Sequence, residues 1–168
     1  MKIGILGGSF DPAHKGHLAI SKEGKKRFKL EKIIWAITKK NPLKAESKTP
    51  ISKKIKDCKK IIGLNSFIKV KFYENIIKSN KTIDLINYLK KNKNIEIFFL
   101  MGADNLISFH KWHKSKLISQ KCNIIVFDRH GYKKNSLKSK TFKRLNNKTL
   151  TFVEFKKVNI SSSQLRKI

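Results

Sequence analysis

Short apolar runs alternate with amphipathic stretches along the chain, and this alternation restricts the fold more than any other feature of the sequence. Six apolar runs have the length of strands and lie at 2–6, 32–38, 67–72, 95–101, 122–127 and 149–155. Between them, apolar residues three and four positions apart predict helices at 16–28, 50–62, 82–91 and 103–112. We therefore predict an α/β, Rossmann-like, doubly wound fold, with a mainly parallel sheet and helices on both faces, in a single domain over 1–168.

Two further segments are assigned from their composition and position. The lysine-rich stretch 133–148 has little apolar content, and we predict a mobile surface loop there, in which a helical turn is allowed. The serine-rich stretch 161–166 follows the last strand and reads as the start of a closing helix. In folds of this kind ligands bind beyond the carboxyl ends of the strands, so residues that carry chemistry are expected directly after strands.

The chain is strongly basic, with a net charge of +29 from 40 Lys and Arg against 11 Asp and Glu. Only four of the basic residues are Arg, the residue that dedicated phosphate and base readers favour for its bidentate geometry. Lysine is spread through every segment, and Ile and Asn are also abundant. This pattern favours a compositional bias over a functional surface, but a basic nucleic-acid-binding protein remains the alternative from another class.

The sequence predicts a protein of the reducing cytoplasm. Cys58 and Cys122 lie far apart in apolar surroundings and have no metal-binding spacing, so we predict buried free thiols. No apolar run reaches the roughly 20 residues that cross a membrane. The first apolar run is cut short by Gly7 and Gly8, which is not the pattern of a signal peptide.

A glycine-rich turn, GGSFDPAHKGH, follows the first predicted strand at 7–17. Glycines let a ligand approach the backbone, and the free N–H groups at the start of the next helix favour anions. His14 and His17 are three positions apart, so both imidazoles can face one point. A metal pair or a surface coincidence would give the same spacing. Because no third ligand is evident nearby, we predict phosphate binding and no protein metal site.

Five segments, in chain order, resemble the bacterial nicotinate-nucleotide adenylyltransferase family of the HxGH nucleotidyltransferase superfamily. The turn at 7–17 carries both GGSFDP and HxGH, and the others are similar to that family's substrate loop and to its SYTxxTL, GxD–FxxW and ISSTxIR motifs. They read TKKNPLK at 38–44, SNKTIDL at 79–85, FFLMGADNLISFHKW at 98–112 and ISSSQLR at 160–166. Lys81 and Leu85 stand where the family has Tyr and Thr. The resemblance covers essentially the whole chain.

The resemblance implies adenylyl transfer from ATP to nicotinate mononucleotide, which gives deamido-NAD and pyrophosphate, with Mg²⁺ as a bridging charge brought with ATP. The acceptor phosphate is already an anion at neutral pH, so the reaction needs positioning and charge stabilisation more than a strong base. The family motifs imply that His14, His17 and Arg166 are catalytic. The implied ATP contacts are Gly7, Gly8, Ser9, Phe10, His14, His17, Gly102, Asp104, Ile160, Ser161, Ser162, Ser163 and Arg166.

On the acceptor side the resemblance implies contacts from Asn41, Lys44 and Thr82, with Trp112 stacked on the pyridine ring. Core packing is the other interpretation of Trp112, and a helix cap is the other interpretation of Asp104. Related activities on phosphopantetheine or nicotinamide mononucleotide stay open as alternatives. The expected partners are the two small substrates, without specific nucleic acid or membrane, and the oligomeric state is left open.

Overall fold

A computed structural model describes residues 1–39 and 47–155 and contains one six-stranded sheet. The strands are β1 (Lys2–Gly8), β2 (Lys32–Ile37), β3 (Ile68–Lys71), β4 (Glu96–Gly102), β5 (Asn123–Phe127) and β6 (Leu150–Val153). Their order is β3-β2-β1-β4-β5-β6, and every neighbouring pair is parallel. The predicted α/β, Rossmann-like fold is confirmed.

The helices cover both faces of this sheet. They are α1 (Lys15–Phe28), α2 (Ile51–Ile62), α3 (Glu74–Ile77), α4 (Thr82–Leu89), α5 (Ala103–Ser108), α6 (Ser115–Lys121), α7 (Lys133–Leu137) and α8 (Lys140–Leu145), with a 3₁₀ turn at Phe109–Lys111. Side chains alternate between two cores along each central strand. In β4, for example, Phe99 packs on the side of α4, α5 and α6, while Phe98 and Leu100 pack on the side of α1 and α2.

The strand order reverses at β1, because β2 lies on one side of it and β4 on the other. In an open parallel sheet such a switch point leaves a crevice at the carboxyl ends of the strands, and ligands bind there. The glycine-rich turn begins at the end of β1, where this crevice opens. The fold therefore brings the segments that follow β1, β2, β4 and β5 to one edge of the sheet.

The prediction of a surface loop at 133–148 is wrong, because this segment forms α7 and α8. Ser139 caps α8 by accepting a hydrogen bond from the Phe142 backbone N–H at 3.2 Å, and Leu145 is buried. The abundant lysines in this segment made its helical signal, the Ser139 cap and the apolar spacing after it, difficult to recognise from the sequence. The helix predicted at 103–112 is also shorter, because α5 ends at Ser108 and Trp112 has extended backbone after the 3₁₀ turn. The short helices α3 and α6 were not predicted.

Other expectations about individual residues are confirmed. Cys58 and Cys122 are buried free thiols, and burial raises the pKa of each to about 12. His110, His113 and His130 are exposed. Within residues 1–39 and 47–155, every helix is too short or too polar to cross a membrane.

Candidate active site

The two histidines of the glycine-rich turn hold each other in place at the start of α1. His14 is the residue that precedes the helix, and its Nδ1 accepts a hydrogen bond from the Gly16 backbone N–H at 3.0 Å. His17 reciprocates, because its Nδ1 accepts from the His14 backbone N–H at 3.1 Å. The two ring centroids are 3.9 Å apart. This is a capping box built from imidazoles, and it brings the two predicted catalytic histidines together.

These cap bonds also determine which nitrogen of each ring carries a proton. A ring nitrogen that accepts a backbone N–H has no proton of its own, so the neutral ring is protonated on Nε2. Burial and the nearby Arg129 cation lower the pKa of His14 to about 4. Burial, with His14 and Arg129, holds the pKa of His17 well below its usual range. At neutral pH the site therefore has two neutral imidazoles, each with an Nε2–H donor.

Aromatic and hydroxyl side chains pack around His17 and help to fix its position. The ring of Phe10 lies 4.5 Å from the His17 ring, centroid to centroid, and Phe10 in turn stacks on Trp35 at 5.2 Å. Ser21 donates to the His17 carbonyl and accepts from the Trp35 Nε1–H, both at 2.8 Å. Phe10 is itself 1% exposed, so contact with a ligand would come from its backbone. Trp35 is fully buried.

A carboxylate and a guanidinium face the histidines from the ends of β4 and β5. Asp104 lies in the first turn of α5, and its Oδ2 accepts from Arg129 Nη1 at 2.7 Å. Its other oxygen, Oδ1, is buried and has no hydrogen-bond partner among the described residues. A Cβ on Gly102 would lie only 2.6 Å from that oxygen, so a larger residue there would displace the Asp104 carboxylate. The site thus presents a hydrogen-bond acceptor suited to a hydroxyl group.

A cavity of about 790 Å³ joins these groups at the switch point. His14, His17, Asp104 and Arg129 line it together with Gly7, Gly8, Ser9, Thr82 and Trp112. Its size falls in the range of small-molecule sites. Thr82 opens α4, which packs on the opposite face of the sheet from α1. Trp112 is half-buried, with its ring edge-on to Phe99 at 5.8 Å, so it is both a cavity wall and part of the core packing.

Several predicted site residues lie outside the described residues: Asn41, Lys44, Ile160, Ser161, Ser162, Ser163 and Arg166.

The sequence analysis missed Arg129, which pairs with Asp104 and lowers the pKa of both histidines. Its position two residues after β5 was a usable signal, because the fold rule expects chemistry directly after strands. Among the described residues, no group of three or more His, Cys, Asp or Glu could hold a metal ion.

The low pKa values of the histidines predict a loss of stability in mild acid. Between about pH 4 and 6.5 these histidines take up protons on unfolding, so the free energy of unfolding should fall as the pH drops through that window, with no contribution above pH 7. His14→Asn keeps a side-chain oxygen for the cap but cannot titrate. We expect its loss of stability between pH 7.5 and 5 to be smaller than that of the wild type by about 1–2 kcal/mol.

Urea unfolding at the two pH values measures this difference, and His110→Asn, which alters an exposed histidine, is the matched control. Carboxylate titration affects all three proteins alike and cancels from the comparison. Equal pH dependence in the wild type and His14→Asn would contradict the assignment of a low pKa to His14.

A parallel sheet of this order, with a glycine-rich two-histidine turn at its switch point, defines a nucleotide-binding α/β protein. A model of the cytidylyltransferase-like family matches residues 5–168. A curated relative from Pelagibacter ubique, named "Probable nicotinate-nucleotide adenylyltransferase", is 68% identical over 99% of this chain and 93% of that protein. A relative of the same name from Agrobacterium fabrum is 35% identical over 78% of this chain and 71% of its own length. The chain belongs to the cytidylyltransferase-like family, alongside these nicotinate-nucleotide adenylyltransferases.

The solved structures give the same picture of the fold. The Plasmodium falciparum nicotinic acid mononucleotide adenylyltransferase complexed with NaAD matches with a TM-score of 0.80 at 22% identity, over 99% of this chain and 82% of that chain. A Vibrio parahaemolyticus crystal structure, described as that of "a Putative Nicotinate-nucleotide Adenylyltransferase", matches with a TM-score of 0.62 at 19% identity, over 74% of this chain and 72% of that chain. At these identities the likeness concerns the fold.

Proposed function

We propose that this protein transfers the adenylyl group of ATP to nicotinate mononucleotide and so makes deamido-NAD and pyrophosphate. The observation that carries the proposal is the pair of neutral histidines at the switch point, which share one cavity with Thr82 and Trp112. Two binding regions on opposite walls of one cavity suit a reaction that joins two nucleotides. The family membership supports the same reaction.

In the proposed reaction, an oxygen of the mononucleotide phosphate attacks the α-phosphorus of ATP. A new phosphorus–oxygen bond forms as the bond to the β-phosphate bridge breaks, and pyrophosphate leaves with the electron pair. The nucleophile is already ionised, so neutral His14 and His17 serve as Nε2–H donors to the phosphate oxygens. Donors that are held in place before the reaction stabilise the charge that develops in the transition state.

We assign Asp104 to the ribose of the adenosine, because its buried Oδ1 lacks a partner among the described residues and can accept from a hydroxyl. Arg129 fixes the other oxygen of this carboxylate and adds a positive charge near the phosphates. Gly7, Gly8, Ser9 and the Phe10 backbone would face the nucleotide at the end of β1. Ile160, the serines 161–163 and Arg166 keep their sequence-based assignment to ATP.

On the acceptor side, we assign the nicotinate ring to Trp112 and its carboxylate to Thr82. Lys81 precedes Thr82 and also lines the cavity, where the family has Tyr. A cation at this wall favours the nicotinate carboxylate over the neutral amide of nicotinamide. Asn41 and Lys44 keep their sequence-based assignment to the mononucleotide.

Magnesium enters this scheme as part of the substrate, bound to ATP. Mg²⁺ in such sites takes most of its ligands from phosphate oxygens and water, with one or two carboxylates, so a dedicated protein cage is not required. Asp104, Asp128 and Glu74 are the carboxylates that line the cavity. Mg²⁺ would neutralise charge on the departing pyrophosphate.

Lysines do not gather on one face of the described molecule. They occur on α1 and α2 on one side of the sheet and on α6, α7 and α8 elsewhere. This spread supports the compositional explanation of the charge and gives no specific support to nucleic-acid binding.

Pyrophosphate release with Mg·ATP and a panel of acceptors tests the proposal. We expect turnover with nicotinate mononucleotide, a kcat/KM at least about ten times lower with nicotinamide mononucleotide, and none with phosphopantetheine. The expected ratio corresponds to about 1.4 kcal/mol for one ion pair that the amide cannot make. Turnover confined to phosphopantetheine, or no turnover with any acceptor, would overturn the proposed function.

A further inference from the structure

The corner between α3 and α4 forms one wall of the cavity. The helix α3 ends at Ile77 and α4 begins at Thr82, and the four residues 79–82 all line the cavity. Among the residues that the structure describes, no carboxylate pairs with the ammonium group of Lys81. A cation at the cavity wall without an ion-pair partner attracts an anionic group of a ligand.

Two hydrogen bonds fix the shape of this corner. The Ser79 hydroxyl donates to Asp84 Oδ2 at 2.6 Å, and Ser79 Oγ accepts from the Lys81 backbone N–H at 3.0 Å. The bond to Asp84 is charge-assisted and therefore stronger than one between neutral groups. Asp84 thus determines where the Ser79 side chain lies, and Ser79 determines where the backbone of Lys81 lies.

The corner is attached to rigid parts of the fold on both sides. Asp84 lies in α4, whose residues Ile83 and Ile86 are 1% and 0% exposed and anchor the helix in the core. At the other end of the same wall, Glu74 in α3 accepts from the Thr38 hydroxyl at 2.9 Å, directly after β2. The short connection between the two helices therefore has little freedom to move while the Ser79 bonds are in place.

We propose that Ser79, held by Asp84, is a positioning residue that fixes the Lys81 backbone so that the ammonium group reaches the nicotinate carboxylate. The inference rests on the proposed function, in which this wall receives the nicotinate. The energy of an ion pair falls with distance, so a cation distinguishes a carboxylate from a neutral amide well only when it is held close. The lysine side chain is long and flexible, so the position of its backbone sets the region that the charge can reach.

Selectivity between two acceptors is the readout that separates positioning from stability. Nicotinate and nicotinamide mononucleotide differ only in the carboxylate and the amide. General damage to the fold or to the acceptor site lowers kcat/KM for both and cancels from their ratio, whereas a misplaced Lys81 lowers the ratio itself. The KM for ATP should change less than about 2-fold, because His14 and His17 are held by their own cap bonds.

Ser79→Ala is expected to lower the ratio of kcat/KM for nicotinate over nicotinamide mononucleotide at least about 3-fold, from the loss of a hydrogen bond to a charged group. Ser79→Thr keeps the hydroxyl and should retain the wild-type ratio. Ser108→Ala is the matched control, because Ser108 also lines the cavity but lies in α5, where its hydroxyl donates to the Asn105 carbonyl at 3.3 Å. The control should leave the ratio unchanged.

Double mutants test whether Ser79 acts through Lys81. Lys81→Met removes the cation and should abolish most of the selectivity. In that background Ser79→Ala should change the ratio less than about 1.5-fold, because residues that act through one interaction have non-additive effects.

The direction of the change in Asp84→Ala separates positioning from simple charge. This variant should lower the ratio as Ser79→Ala does, and the two changes together should lower it no further than either alone. Loss of a negative charge without any effect on position would instead favour the anionic acceptor and raise the ratio.

The possible outcomes separate this inference from the proposed function. Wild-type protein that does not turn over nicotinate mononucleotide overturns the proposed function and this inference with it. Active wild type with a ratio near one, or with a ratio that Ser79→Ala leaves unchanged, overturns the inference alone. A higher ratio in Asp84→Ala, or a full effect of Ser79→Ala in the Lys81→Met background, also overturns it.

Discussion

His17→Ala is expected to lower kcat for deamido-NAD formation by roughly 10²–10³-fold. That is the size of the effect when one preorganised donor to a developing charge is lost. The His17 ring accepts the His14 N–H on one side, so its Nε2–H is the side that faces a ligand in the cavity. KM values should change less than kcat, because the proposed interaction strengthens in the transition state.

Two variants separate catalysis from folding in this experiment. The alanine also leaves the His14 backbone N–H without its cap, which costs about 1 kcal/mol of stability. His17→Gln should restore the cap, since Gln is a usual partner at this position of a capping box, while its shorter reach recovers only part of the rate. His110→Ala, at an exposed position of the 3₁₀ turn, should leave kcat unchanged. Wild-type turnover by His17→Ala would remove His17 from the mechanism.

Trp112→Ala is expected to raise the KM for nicotinate mononucleotide about 5- to 150-fold, since stacking on one ring is worth roughly 1–3 kcal/mol. The KM for ATP should stay within a few-fold, because ATP is assigned to other residues. Trp112 also contacts Phe109, with ring centroids 5.1 Å apart, so some stability should be lost as well. That loss should stay below the roughly 3–5 kcal/mol expected for a fully buried aromatic side chain.

Trp35 supplies the matched control for packing, because it is fully buried in the opposite core. Trp35→Ala should show the full loss of stability and should affect both substrates through a damaged fold. Trp112→Phe should recover most of the affinity for nicotinate mononucleotide. If Trp112→Ala instead behaves like Trp35→Ala, with equal effects on both substrates, Trp112 is a packing residue and the stacking assignment is wrong.

The periodicity of the chain was enough to predict the sheet, because parallel strands buried on both faces leave continuous apolar runs. All six predicted strands correspond to β1–β6, within a few residues at each end. The errors fall where the local signal is weak. The helices α3, α7 and α8 have four to six residues each, and their ends are determined by tertiary contacts and by caps such as Ser139.

The candidate site was only partly accessible from the sequence. A motif of fixed spacing, such as that of His14 and His17, could be read directly, and the structure adds the cap bonds between them. The ion pair of Arg129 with Asp104 joins residues 25 positions apart, so no local sequence pattern predicts it. The bond of Glu74 to Thr38 is equally non-local. Contacts of this kind depend on which loops the strand order brings together.

The fate of the ATP phosphates tests the central claim, adenylyl transfer, most directly. Wild-type protein is incubated with Mg²⁺, nicotinate mononucleotide and ATP labelled at either the α- or the γ-phosphate, and the products are separated. The account predicts that the α-label appears in deamido-NAD and the γ-label in pyrophosphate, in equal amounts. An α-label found only in AMP, or a γ-label found on the acceptor, would contradict it, because these are the signatures of hydrolysis and of γ-phosphoryl transfer.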